Sequence, residues 1–212
     1  MRRSPRPLSP AGITEAVLAA VADRRPGHPL RVAVDGAPAA GTSGLVGALR
    51  DRLPADGRPA RHIDTSYFLR PASLRLERGR NDPDAYYEDR LDIDALRREV
   101  LLPAGPDGDG RVLPTFRDPE SDRSTRADYE QLEGNAVLLI EGRFLLGYGL
   151  PFDLTVHMRL SAGALSRRTA PEEQWILPAF ERYEAEVAPV TTADLVIFAD
   201  DPRRPALLTT SR

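Results

Sequence analysis

Residues 30–43, LRVAVDG followed by APAAGTS, constrain this chain more than any other stretch. LRVAVDG is an apolar, β-branched run broken only by Arg31 and Asp35 and closed by Gly36, the pattern of a buried strand. SGLVGALRDRL (43–53) reads as a helix. Between them, Gly36, Gly41 and Ser43 fall at the spacing of the phosphate-binding pattern G-x-x-x-x-G-K-[ST], in the strand-to-helix context that pattern requires. Position 42, where the pattern has lysine, is Thr42. The alternative is a glycine-rich turn that binds nothing.

The rest of the chain repeats the strand–helix alternation. ARHID (60–64), NAVLLIEG (135–142), DLTVHMRL (153–160) and ADLVIF (193–198) read as further strands, with 135–142 the most apolar. Helices are expected over 11–25, 92–102 and 172–187, the last interrupted by Pro178, with loop and a short helix over 69–90 and a tight turn at 105–110. Alternation of this kind implies an α/β fold with a parallel sheet of about five strands covered on both faces. The expected organisation is a helical lead-in (1–29), one domain (30–205) and a short C-terminal tail (206–212). In such sheets ligands bind at the carboxyl ends of the strands. Gly36, Asp64 and Glu141 each stand at one.

Composition narrows the classes of partner. The formal net charge is −3, so the chain has no broad basic field for nucleic acid. It has no cysteine, which excludes disulfides and thiolate metal sites. No apolar run approaches the roughly 20 residues that span a bilayer, and MRRSPRPLSP has no apolar stretch after its arginines. A cytoplasmic protein with a small-molecule substrate, and neither nucleic-acid nor membrane partner, is the default expectation; homo-oligomerisation stays open. All 29 residues counted as Lys+Arg are arginine. Thr42 therefore belongs to a chain-wide absence of lysine.

Taken in order, several stretches resemble the uridine kinase (uridine–cytidine kinase) family of P-loop phosphotransferases. VAVDGAPAAGTS is similar to its first strand and phosphate loop, IDTSYF to its Asp-x-Phe-Tyr segment, and NDPDAYYEDRLDIDAL to its H-P-D-A-F-D segment. VLPTF…SDR is similar to its V-P-T-Y…H-S-R hairpin, VLLIEG to its Walker-B-like strand, ALSRR to the opening of its arginine-rich lid, and LPAFERY…ADLVI to its closing helix and strand. The matches run from about 31 to 198. The resemblance implies a three-layer P-loop NTPase fold with a small β-hairpin insertion and a short lid, and an ATP- (or other NTP-) and Mg²⁺-dependent kinase of a nucleoside-like hydroxyl compound.

Residue by residue, the resemblance implies that the backbone over 36–43 (Gly36, Ala37, Ala39, Ala40, Gly41, Thr42 and Ser43) cradles the nucleotide phosphates. It implies Ser43 and Glu141 on Mg²⁺, and Asp64 as the acceptor of the substrate hydroxyl proton. Asp84 would take the ribose hydroxyls, Tyr67 and Phe116 would pack round the base, and Arg123 would close the hairpin beside the acceptor. Arg167 and Arg168 would neutralise charge on the transferring phosphoryl group. Each has a plainer alternative: a turn cap for Asp64, a surface ion pair with Arg143 for Glu141, a DPD turn for Asp84, and solvated charges for the arginines.

The chain departs from the family pattern in four places. Thr42 replaces the lysine that bridges the phosphates, and Ser121 stands where the family has its base-reading histidine. The aromatic pair after Asp64 is displaced by one residue to Tyr67–Phe68, and the lid continues RRTAPE, with Pro171 and Glu172 in place of a later arginine and aspartate. Three readings compete: an active kinase, a weakened or inactive nucleotide-binding pseudokinase, and a P-loop scaffold for another reaction such as nucleotide hydrolysis.

Overall fold

The strand run 30–36 is buried along its whole length because both of its faces are covered. In the computed structural model, which describes residues 4–210, it forms β2 (Leu30–Gly36). Val32 and Val34 point to one face, packing with Val17 and Val21 of helix α1 (Pro10–Ala22) and Leu45 and Leu49 of α2 (Thr42–Arg52). Ala33 points to the other, with Leu96 of α5 (Ile93–Leu96) and Leu101 of the π-helical turn that extends it over residues 97–101. Val137 and Leu139 likewise alternate with Leu138 and Ile140 along β6 (Val137–Gly142). Period-2 alternation thus builds two cores, one on each side of the sheet.

The sheet has seven strands in the order β1-β9-β8-β7-β2-β6-β3. Five are parallel: β3 (Ala60–Asp64), β6, β2, β7 (Leu154–Arg159) and β8 (Leu195–Phe198). This matches the expected parallel core, with β6 inside the sheet. Two strands on the β8 edge were not expected. The C-terminal stretch read as a tail contains β9 (Ala206–Thr209), antiparallel to β8, and the lead-in contains β1 (Arg6–Pro7), antiparallel to β9. Leu207 is buried there. A four-residue strand is too short to show a period, and only the neighbouring edge makes ALLT a strand.

The remaining elements are short. α3 (Ala72–Arg75) and α4 (Pro83–Glu88) follow β3, and β4 (Arg111–Val112) pairs with β5 (Glu130–Gln131) as the hairpin insertion. α6 (Ala162–Arg168), α7 (Leu177–Glu186) and α8 (Pro189–Thr192) lie between β7 and β8. Local chemistry sets several starts. Ser9 accepts a hydrogen bond from the Gly12 amide and Pro10 opens α1, while Asp82 caps α4 through the Ala85 amide. Pro178 sits in the first turn of α7, where its missing N–H costs nothing, so the expected interruption is a helix start after a 3₁₀ turn over 171–176.

Candidate functional site

β2 ends at Gly36, residues 38–40 form a single 3₁₀ turn, and Gly41 leads into α2. Gly41 has φ +88°, a left-handed conformation that a side chain would strain. Gly36 is required by space, since a Cβ there would lie 2.8 Å from the Met158 carbonyl oxygen. The first turn of α2 contains no acidic residue. Its leading amides have no intrahelical acceptor, and the helix dipole adds positive potential, so the loop is shaped for an anion.

Register brings two carboxylates to this loop. Asp64 and Glu141 are direct partners across the parallel β3–β6 pair, so both leave the strand ends on the α2 face. Glu141 Oε1 accepts from Thr42 Oγ1 at 2.7 Å and Ser43 Oγ at 2.5 Å. His62 Nε2 lies 3.0 Å from Glu141 Oε2, without the alignment of a hydrogen bond. Burial pushes the Glu141 carboxyl up, but His62, Ser43 and Thr42 more than offset this and hold it below the usual range. Glu141 is buried, and its partners are these three residues, in place of the surface pair with Arg143 held open as an alternative. Asp64 Oδ1 accepts from the Ser66 amide at 2.8 Å, so it caps the turn that follows β3 and faces the loop as well. Thr65 Oγ1 donates to the Glu141 carbonyl at 2.9 Å; a Cβ on Gly142 would lie 2.1 Å from that hydroxyl oxygen. Gly36, Thr42, Ser43, Asp64, Glu141 and Arg143 line one cleft of about 170 Å³.

The other face of the sheet braces the same loop. Asp35 is fully buried and pairs in register with His157. Its carboxylate meets His157 Nδ1 at 2.6 Å and accepts from the Tyr183 hydroxyl at 2.9 Å and the Leu145 amide at 2.9 Å. Burial opposes a charged His157, yet Asp35 and Glu184 raise it to about 9. Burial, above all, pushes the Tyr183 phenol far up, so it remains a donor.

Not every expected residue joins the cleft. Asp84, in the first turn of α4, is largely exposed and ion-paired with Arg182 at 3.0 Å, which answers to the DPD-turn alternative. Tyr67 and Phe116 pack against the core beneath β3 and β6. The Tyr67 carbonyl accepts from the Phe116 and Arg117 amides, and Phe116 stacks on the fully buried Phe68 at 6.2 Å. Arg123 and Arg167 are exposed, and Ser121 bonds only to Asp118. Arg168 reaches the loop from outside, donating to the Ala39 carbonyl at 3.4 Å and the Asp200 carbonyl at 2.7 Å. Ala37 and Ala40 are buried at the base of the loop. Sequence reading missed Arg143 as part of the cleft lining and His62 as a neighbour of Glu141. His62 was open to inference, because it lies two residues before Asp64 on the same strand and therefore shares its face.

A search of solved structures finds the same architecture. A possible uridine kinase from Bacillus stearothermophilus superposes with a TM-score of 0.69 at 19% identity, covering 86% of this chain and 96% of that one. A provisionally assigned fructose transport system kinase from Silicibacter sp. TM1040 gives 0.63 at 22% identity, covering 89% and 98%. This is the three-layer α/β fold of the P-loop NTPases. No family model matches the chain, and no curated protein matches it in sequence. Among the described residues no helix is long and apolar enough to cross a membrane.

Proposed function

We infer that this protein is a P-loop phosphotransferase that moves the γ-phosphate of ATP, or another nucleoside triphosphate, to a hydroxyl of a small molecule. The convergence of Ser43, Glu141 and Asp64 in one cleft at the N-terminus of α2 carries this reading. The residues present fit a magnesium nucleotide. Hydroxyl and carboxylate oxygens suit a hard cation, and the loop offers amides to phosphate oxygens.

Bound there, the magnesium nucleotide supplies a phosphorus open to in-line attack. Ser43 and Glu141, already 2.5 Å apart, are the pair that would hold the cation. The Thr42 and Ser43 amides that open α2 would bind phosphate oxygens; Pro38 has no N–H, and the Ala40 and Gly41 amides donate to the Ala37 and Pro38 carbonyls within the loop. Asp64 has Oδ1 spent on Ser66, leaving Oδ2 to orient the acceptor hydroxyl and take its proton. Arg143 supplies positive charge inside the cleft, and Arg168 steadies the loop from outside. A cytoplasmic setting and a lone small-molecule partner remain part of this reading. A nucleoside acceptor finds less support, because Asp84 is engaged by Arg182 and Tyr67 and Phe116 lie outside the cleft lining.

One observation favours a weakened enzyme or a nucleotide-binding pseudokinase: Thr42 is buried and its hydroxyl is tied to Glu141, so it brings no charge to the phosphates. Thr42→Lys separates these readings. In a weakened kinase the substitution raises turnover by about 2–4 kcal/mol of transition-state stabilisation and tightens ATP binding; in a pseudokinase only binding improves. The assay is ATP consumption by both forms with Mg²⁺ and a panel of hydroxyl compounds. Absence of measurable ATP binding by either form overturns the ATP-based reading.

A further inference from the structure

The cleft has a side alcove with a second arginine, Arg90, that the proposed chemistry leaves unused. It is lined by Thr65, Ser66, Tyr86, Arg90 and Arg143 among others, and shares Thr65, Ser66 and Arg143 with the cleft. Tyr86 is a fixed wall: it is buried and meets Trp175 edge-on at 5.3 Å and Phe144 at 5.8 Å. Two guanidinium groups bracket its ring, Arg90 at 5.0 Å and Arg143 at 5.2 Å from the centroid, and Arg143 also donates to the Tyr86 hydroxyl.

Neither arginine has a carboxylate partner among the described residues. Four nearby acids are taken: Asp89 by Arg70 and Arg78, Glu88 by Arg78 and Arg182, Asp84 by Arg182, and Asp122 by Arg75; Glu173 acts on Arg90 through space but forms no ion pair with it. Arg90 Nε is buried with no hydrogen-bond partner. Burial and the neighbouring Arg143 lower the Arg90 guanidinium to about 10. Two close, unneutralised cations with an orphaned donor are costly in a folded protein unless an anion completes them. Guanidinium forks match carboxylate and phosphate oxygens.

Resting on the kinase reading for the identity of the reacting hydroxyl, we propose that the acceptor carries an anionic group, a carboxylate or a phosphate, which Arg90 and Arg143 hold in the Tyr86 alcove while its hydroxyl is presented to Asp64. The alcove has a volume of about 20 Å³, room for one oxygen of the anionic group, so the rest of that group and the body of the acceptor lie in the adjoining cleft. The substrate is thus a hydroxy acid or a sugar phosphate, in contrast to a neutral nucleoside.

The test is calorimetric titration of the full chain with matched pairs, gluconate against glucitol and ribose 5-phosphate against ribose, at constant ionic strength. Titrations are run with and without a saturating non-hydrolysable ATP analogue and Mg²⁺, so that the phosphate loop is blocked in one arm. The expected result is that at least one anionic member binds tenfold or more tightly than its neutral partner with the loop blocked, and the preferred pair separates carboxylate from phosphate. Arg90→Gln should abolish that preference and leave the affinity for the ATP analogue unchanged. Arg90→Lys, which keeps the charge, should retain part of the preference and serves if the glutamine variant fails to fold. Equal binding of anionic and neutral members, or a preference that survives Arg90→Gln, overturns the proposal. If the analogue itself does not bind, the kinase reading fails, and the unblocked titrations still decide whether Arg90 holds an anion.

Discussion

Two carboxylates leave the neighbouring strands β2 and β6 one step apart and meet opposite fates. In the parallel register Val34 faces Glu141 and Asp35 faces Gly142, so Glu141 and Asp35 project to opposite sides of the sheet. Asp35 enters a sealed pocket, where His157, Tyr183 and the Leu145 amide use its lone pairs. Glu141 enters the cleft, held by two hydroxyls that a cation could displace. The same residue class at the same level of the sheet is structural on one face and available for chemistry on the other. Parity and the chemistry of the partners make the difference.

Three measurements would break or sharpen this contrast. The largest effect is expected at Asp35. Asp35→Ala leaves a buried His157 facing Glu184 without its main counter-ion, and should cost about 3–5 kcal/mol of unfolding free energy, read from urea denaturation. A loss below about 1 kcal/mol would show that the pair does not brace the loop. Next, Glu141→Gln keeps an acceptor for Thr42 and Ser43 but removes the charge. We expect phosphotransfer, or magnesium-dependent nucleotide binding if turnover is absent, to fall by about 10²–10³-fold, with stability changed by less than about 1 kcal/mol. A Glu141→Gln variant that loses several kcal/mol of stability yet keeps full activity while folded would reverse the two assignments.

The smallest effect is pH-dependent. Asp35 and Glu184 hold His157 at about 9 in the folded chain, above the ordinary 6.5 of an imidazole. A raised folded value means that folding favours the protonated ring. Its contribution is fully present below pH 6.5 and is lost as pH rises through about 9. The unfolding free energy of the wild type should therefore fall across this window relative to His157→Gln, by about 3 kcal/mol in all. Parallel curves for the two proteins would place the proton elsewhere.

The strand–loop–helix unit over 30–53 was legible because all its signals are local: an apolar run, glycines at fixed spacing, then a helical pattern. The carboxylates of Asp64 and Glu141 were legible for a related reason, as each ends a recognisable strand. The acceptor side was not. Asp84, Tyr67, Phe116 and Arg123 were placed by analogy with short motifs in loops, and a loop residue's direction depends on which distant side chains compete for it. Arg182, 98 positions from Asp84, captures that aspartate, and Phe68 draws Phe116 into the core.

By itself the sequence determined the alternation of strands and helices, the parallel sheet, the left-handed turn at Gly41, and the strand ends at which carboxylates emerge. These follow from periodicity and steric limits that act within a few residues. Tertiary structure alone decided that ALLT at the C-terminus becomes a strand, that Thr42 bonds to Glu141, that Asp35 is locked to His157, and that Arg90 and Arg143 share one tyrosine with no ion-paired carboxylate among the described residues. Each of these depends on which groups a folded chain brings within hydrogen-bonding or Coulomb range, and on the burial that raises the cost of leaving them unpaired.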